Sequence, residues 1–486
     1  MASRAYTAPQ SPSAADGRSP AAVLVALLIG AFSFSLLHTM VAPALPAIAE
    51  AFGTTGPSAA WALSGYLLSA AVCAPLVGKL GDLHGRRRVL TAVLVVFGLG
   101  SVICALAGSI EVLIGGRVVQ GVAGGVFALA FGIVNDTFPA ERKAVAIGLL
   151  SATFGIGGGM GLPLAGAILD HGELAWLFLV GLIALPAAAA VWWVVPNDPP
   201  RGRATLDWGG AAVLSLGLVA VLLAISKASA WGWGAAPTVG LMLAGVGTLL
   251  AFAVLEGRVR EPLVDMRMLG ERSMLATNGA SFFVGVAMFG SFILIPQYSH
   301  VAVDGGHGLG LSMVGAGLVM LPSAVAMLVC GPVAGALANR YGGRAVLALG
   351  ALLVAVAFGS LAAAHDGVGD VVFAGVLIGG GISFAWTSMA NLIVAGVDAR
   401  DIGIATGLNT VARAVGGAFS AALVATLLAA ATVEGTATPA ESAYVAAFLV
   451  MAAAGLVAAG FALAIPRIPA LEAGIEESTA PASWPA

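Results

Sequence analysis

Charge is what this chain has least of. Only 9% of its 486 residues are Asp, Glu, Lys or Arg, 59% are hydrophobic, and the mean hydropathy is +1.01. A soluble domain carries about 25% charged residues, so this composition excludes one. Cysteine is also scarce. Cys73, Cys104 and Cys330 stand inside apolar runs with neither disulfide nor metal-site spacing, and read as small buried hydrophobes. No G-x-x-x-x-G-K-[ST] phosphate loop occurs, which argues against ATP as an energy source within the chain. His, Asp and Glu do not gather at a shared depth, as a membrane-embedded enzyme requires. The acids stand in loops, in tails and at helix ends, with Asp136 at an inner end and Asp170 and Glu173 at an outer one. No enzyme activity, metal, cofactor or nucleic-acid partner is expected.

What the chain has is apolar runs. They lie near 21–48, 58–80, 89–108, 112–135, 144–169, 173–195, 207–227, 236–256, 274–300, 312–338, 345–364, 371–396, 402–430 and 441–466. About 20 apolar residues cross about 30 Å of hydrocarbon as a helix, whereas a barrel strand would show about ten residues of alternating polarity. The fold class is therefore an all-α polytopic membrane protein with fourteen transmembrane helices. With the N-terminus placed inside, 18 of the 21 Lys and Arg fall in the even-numbered connections and the two tails. Retention of positive charge on the inner face sets orientation, so both termini are expected in the cytoplasm and the protein in the inner (plasma) membrane. The exceptions are Lys227 near an outer loop, and Arg117 and Arg413 within spans. Trp61, Trp176, Trp231 and Trp233 mark the outer interface and Trp192, Trp193 and Trp208 the inner one, while Trp386 falls mid-span. The leader 1–20, rich in Ala, Ser and Pro, reads as disordered. The small residues from Ala42 to Ala49 are like a signal-peptidase site, but the run before them is too long for a signal sequence, so no cleavage is expected.

Two connections repeat each other. After span 2 the chain reads Gly78-Lys-Leu-Gly-Asp82-Leu-His-Gly85-Arg86-Arg-Arg88, and after span 10 it reads Gly335-Ala-Leu-Ala-Asn339-Arg340-Tyr-Gly342-Gly-Arg344. A glycine turn with a basic exit, recurring at matching places in two six-span halves, marks a duplicated transporter. The first loop resembles the G-x-L-a-D-r-x-G-r-k signature of the major facilitator superfamily. Arg117-Val-Val-Gln120-Gly121 resembles its R-x-x-Q-G element in the fourth span, and Gly155 to Pro163, then Gly166, resembles the fifth-span motif of its antiporters. Leu206-Asp207-Trp208-Gly-Gly with Trp231-Gly-Trp233 looks like the helix pair inserted in fourteen-span drug:proton antiporters. The resemblance implies the major facilitator fold. Its parts would be a leader (1–20), an N-terminal six-helix bundle (21–196), an inserted helix pair (197–257), a cytoplasmic surface segment (258–273), a C-terminal six-helix bundle (274–466) and a tail (467–486).

Several residues are expected to act. Asp82 ends span 2, where the helix dipole is already negative, so it needs outside partners. Arg86 across the turn and the N-terminus of span 13 near Gly403 can supply them, making Gly78, Asp82, Gly85 and Arg86 a conformational-switch loop. The alternative is a solvated acid that stabilises a turn. Gly155, Gly157, Gly158, Gly159, Gly161, Pro163 and Gly166 allow close helix packing. The resemblance adds a seal against leak, although Leu162 stands where the family usually has Gly.

Arg117 with Gln120, and Arg413 with Asn409 on the same helical face, are candidate cavity residues. Anchoring of Arg413 to backbone carbonyls and snorkelling of Arg117 are the alternatives. Many fourteen-span exporters carry an Asp in the first span, and Leu37 occupies that position here. This departure leaves His38, whose ordinary pKa near 6.5 suits proton exchange, as the candidate carrier, or else as a neutral hydrogen-bonding group. Trp386 is placed to stack on a flat substrate or to pack in the core.

The expected function is export of a small amphipathic compound by proton-coupled alternating access. Substrate, protons and the lipid bilayer are the expected partners of a monomer. A lipid or precursor flippase, an uncoupled facilitator, and a non-transporting sensor or scaffold are the alternatives. With arginines and no carboxylate at depth, the expected substrate is neutral or weakly anionic.

Overall fold

A computed structural model describes residues 19–197, 207–259, 262–301, 307–433 and 438–466. Arg4 and Arg18 of the leader, Arg201, Arg203, Leu206, Arg260 and Arg467 with the tail 467–486 lie outside the described residues. Among the described residues, fourteen helices are long and apolar enough to cross a membrane. They are α1 (Pro20–Met40), α2 (Trp61–His84), α3 (Arg86–Ala105), α4 (Ile110–Thr137), α5 (Ala140–His171), α6 (Leu174–Val194), α7 (Trp208–Trp231), α8 (Ala236–Glu256), α9 (Arg272–His300), α10 (Val314–Tyr341), α11 (Gly343–Ala363), α12 (Val368–Gly396), α13 (Ile402–Ala430) and α14 (Glu441–Ala464).

Local chemistry sets many of the ends. Asp207 caps α7 by accepting from Gly210 N at 2.9 Å, and Ser312 accepts from Gly315 N at 3.1 Å just ahead of α10. The two repeated loops close on Gly85 (φ 95°) and Gly342 (φ 82°), which stop one helix and start the next a single residue later. Side chains other than glycine rarely adopt that backbone conformation. The first span is shorter than its apolar run. It stops at Met40, turns through 41–44 and resumes as the separate helix Leu45–Ala51, because Pro43 and Pro46 carry no N–H to continue the ladder.

The helices form two six-helix bundles, α1–α6 and α9–α14, with α7 and α8 inserted between them. Two seams join the bundles. In one, α2 lies against α13; in the other, α5 lies against α10. Small residues make both seams tight. A Cβ on Gly78 would strike the Gly403 carbonyl, and one on Gly148 would strike that of Gly331. The inserted pair rests on the first seam, with α7 touching both α2 and α13. Trp233 Nε1 donates to Thr426 Oγ1 of α13 at 2.9 Å, and Lys227 sits 5.0 Å from the Trp61 ring of α2.

The charged stretch from Arg258 to Arg272 is not wholly superficial. Leu263 and Val264 are buried with Ala211, Leu218, Phe252 and Ile404, so this part of the stretch packs against the inserted pair and α13. Its apolar residues outweigh the surface placement that its charge suggested.

Candidate functional site

The repeated loop after α2 builds a buried ionic network. Asp82 Oδ2 accepts from the backbone N–H of Gly403 at 2.9 Å and of Ile404 at 3.3 Å, at the first turn of α13. Its Oδ1 accepts from Arg86 Nε at 3.1 Å and Nη2 at 2.7 Å. A carboxylate is misplaced at its own helix C-terminus and well placed at another's N-terminus, where unsatisfied N–H groups point outward. Arg86 is itself fully buried and reaches further. Its Nη1 donates to Asp136 Oδ2 at 2.6 Å and to the Gly132 carbonyl at 3.0 Å, and its Nη2 donates to the Ala399 carbonyl at 2.6 Å. Lys79 lies 3.7 Å from Asp401 beside it. Arg86 and Gly403 are the partners that the helix-end argument for Asp82 requires. Asp136, Ala399 and Asp401 escaped that argument, because nothing local signals that a residue fifty or three hundred positions away completes the guanidinium. The matching place on the other seam is neutral: Asn339 Nδ2 donates to the Glu141 carbonyl at 3.3 Å at the start of α5.

The glycines of α5 serve two neighbours. Gly155 and Gly159 face Met327 and Ala324 of α10, while Gly157 and Gly161 face Ser35 and Thr39 of α1. Thr39 Oγ1 donates to the Gly157 carbonyl at 2.9 Å. Pro163 abuts Gly317, and Gly166 stands near Val314, toward the end of the same seam away from Gly148 and Gly331. Helix α5 is thereby clasped between a helix of its own bundle and one of the other.

Aromatic rings fill the centre. His38 Nδ1 lies 3.2 Å from Tyr66 Oη, with the rings of Phe34, Phe154 and Phe289 packed around it at 5.6–6.1 Å. Trp386 is buried against Phe154 at 4.6 Å and Phe127 at 5.5 Å, so His38 and Trp386 share one cluster through Phe154. Arg117 does not snorkel. It is fully buried, its Nε donates to the Ala62 carbonyl at 3.0 Å, its Nη1 donates to Gln120 Oε1 at 2.6 Å, and its guanidinium covers the Tyr66 ring at 4.2 Å. Gln120 Nε2 donates in turn to Ser101 Oγ at 2.8 Å. Sequence reasoning missed Tyr66, which connects Arg117 to His38; its position in α2 carried no motif.

Arg413 lies over Trp386 at 3.8 Å, and its Nη1 faces Asn409 Oδ1 at 3.3 Å, as their shared helical face predicts. The structure thus joins His38, Trp386 and Arg413 in the centre, leaves Arg117 and Gln120 within the first bundle, and sets the Asp82 network apart at the helix ends. Among the described residues no group of three or more His, Cys, Asp or Glu is placed to hold a metal ion.

Comparison with known proteins matches this geometry to a family. The cephamycin export protein CmcT of Amycolatopsis lactamdurans is 31% identical over 407 residues, covering 81% of this chain and 82% of that protein. The tetracenomycin C resistance and export protein of Streptomyces glaucescens is 30% identical over 84% of this chain and 76% of its own length. An uncharacterized MFS-type transporter of Mycobacterium tuberculosis is 30% identical over 82% of this chain, but the match spans only 58% of that longer protein. Among solved structures, the human organic anion transporter MFSD10 (TETRAN) superposes with a TM-score of 0.67 over 92% of this chain and 100% of that one, at 16% identity, a likeness of fold. The family description Major Facilitator Superfamily matches residues 27–261 and 277–485. With its two bundles, its repeated glycine-turn loops and that match over most of its length, the chain belongs to the major facilitator superfamily.

Proposed function

We propose that this protein is a secondary active exporter of small amphipathic compounds, working by alternating access and driven by inward proton movement. The observation that carries the reading is the Asp82–Arg86–Asp136 network closed onto the N-terminus of α13. A buried charge cluster that spans two bundles has two stable conditions, assembled and hydrated, and few between them. Assembled, it holds the bundles together at the basic ends of the helices. Parted, it opens the centre to that side. The neutral contact of Asn339 on the opposite seam makes the α2–α13 seam the more sharply switched of the two. The relatives named as antibiotic export proteins support the direction and the class of cargo.

In this reading both termini face the cytoplasm and the monomer sits in the plasma membrane. The bundles occupy 21–196 and 274–466, the inserted pair 197–257, and 258–273 links the pair to the second bundle. Substrate enters the aromatic centre formed by His38, Phe154 and Trp386, while the clasped α5 limits leak along the second seam. His38 carries the proton, since among the described residues no Asp or Glu stands mid-span and its ring meets the hydroxyl of Tyr66.

Counterflow with the full chain in proteoliposomes, against a panel of aromatic antibiotics, tests the proposal. Uptake against a concentration gradient that collapses when the pH gradient is dissipated is the expected result. Transport indifferent to that gradient identifies an uncoupled facilitator or flippase instead, and no transport by inserted protein sinks the exporter reading.

A further inference from the structure

The two arginines held at membrane depth are used differently. Arg117 is sealed in: it has no exposed surface, it bonds to a backbone carbonyl at 3.0 Å and to Gln120 at 2.6 Å, Tyr66 covers its face, and its Nη2 is buried without a hydrogen-bond partner among the described residues. Arg413 is less enclosed. Counting from Ile402 it lies about 17 Å into α13 at ~1.5 Å per residue, and 5% of its surface remains open. Its polar contacts are three long ones to neutral oxygens: Asn409 Oδ1 at 3.3 Å, Thr410 Oγ1 at 3.4 Å and Ser281 Oγ at 3.5 Å. Well-formed N–H···O bonds run at about 2.7–3.2 Å. No carboxylate among the described residues pairs with it, and no backbone carbonyl anchors it.

The Trp386 indole occupies one face of the guanidinium at 3.8 Å. A cation–π contact of that kind uses the face and leaves the N–H edge, where a guanidinium holds its donors in a planar fork suited to a carboxylate. Trp386 is braced by Phe154 and Phe127 from the other bundle, their rings tilted at 42° and 56° to the indole, which makes an aromatic corner beside that edge. His38, with Phe154 at 5.6 Å, completes the surroundings, so among the described residues the ionisable side chains shown at the aromatic centre, His38, Tyr66 and Arg413, are basic or neutral.

We propose that Arg413 and Trp386 form an anion-reading subsite that takes the carboxylate or phenolate of a flat aromatic substrate. The ring packs in the corner between Trp386 and Phe154, and the acidic group takes the N–H edge of Arg413 in place of its long contacts to Asn409, Thr410 and Ser281. A permanent cation is excluded, because it would place like charge beside an uncompensated guanidinium in a low-dielectric centre. The inference deepens the exporter reading and rests on it for the site's purpose, but its chemistry is tested by binding alone.

The full chain in lipid nanodiscs is titrated with three fluorescent probes on one ring system: anthracene-9-carboxylate, anthracene-9-carboxamide and (anthracen-9-ylmethyl)trimethylammonium. Because a charge-assisted hydrogen bond outweighs a neutral one by roughly a factor of two in energy, the carboxylate is expected to bind about tenfold more tightly than the carboxamide, with the cation weakest. Arg413→Gln is expected to bring carboxylate and carboxamide affinities together while leaving carboxamide binding in place, and Arg413→Lys to keep part of the preference.

Equal affinity for carboxylate and carboxamide in the wild type, binding of none of the three, or an unchanged ratio in Arg413→Gln overturns the subsite. If Arg413→Gln does not fold, the wild-type ratio and Arg413→Lys decide. Counterflow on the same protein separates the two readings. Charge preference without transport refutes the exporter and keeps the subsite; transport without charge preference does the reverse.

Discussion

Among single residues, Asp82 carries the largest share of the polar contact between the bundles at the α2–α13 seam. Its carboxylate satisfies two N–H groups of α13 and two of Arg86 at once. Asp82→Asn keeps the shape but removes the charge that makes those bonds strong. Loss of ~1.4 kcal/mol from the assembled state alone shifts the balance between conformers about tenfold. The variant is expected to insert normally and to export about tenfold more slowly, measured as initial counterflow rate per inserted protein. Wild-type turnover would reduce the loop to a turn.

His38 is tested separately. His38→Ala is expected to abolish proton-driven accumulation while leaving downhill exchange partly intact, read from paired assays with and without a pH gradient. Uphill transport at the wild-type rate would move the proton carrier elsewhere, with Asp136 or Asp170 next. The residue scale was only partly legible beforehand. That Asp82 needs a second helix follows from the dipole of its own helix, a local fact. That Arg413 has only long contacts and 5% exposure whereas Arg117 is fully enclosed depends on which atoms of other helices reach each guanidinium.

At the scale of elements, both seams depend on glycine where helices meet backbone to backbone. Gly148 of α5 faces the Gly331 carbonyl so closely that any side chain must push the bundles apart. Overpacking of this kind costs about 1–3 kcal/mol. Gly148→Leu is therefore expected to lower the melting temperature by several degrees and to stop transport. Gly240→Leu, on an open face of α8 with nothing within 4 Å, should change neither beyond experimental scatter. Equal effects of the two substitutions on melting and transport would show that the α5–α10 contact is not what holds the seam. The two repeated loops are the elements most readable in advance, since a positive-φ glycine closes each. The early end of α1 is the element least so, since its apolar run continues past the prolines that break it.

At the scale of the whole molecule, orientation can be checked directly. In a background with Cys73, Cys104 and Cys330 replaced by Ala, Gly234→Cys is expected to react in intact cells with a membrane-impermeant thiol reagent, and Arg400→Cys only after the cells are opened. The opposite pattern inverts the map built on the placement of Lys and Arg.

Hydrocarbon is about 30 Å thick and leaves no backbone N–H unbonded, so each sufficiently long apolar run has to become a helix whatever its neighbours do. The number of spans, the duplicated halves and the need of Asp82 for an outside partner were therefore written in the chain itself. Which helices form the seams, how Arg86 collects Asp136 and Ala399, how α5 is clasped on two sides and why Arg413 meets Trp386 were decided only in three dimensions. Those contacts join residues separated by tens to hundreds of positions. Their energy depends on distance and burial between helices, which periodicity along one helix does not encode.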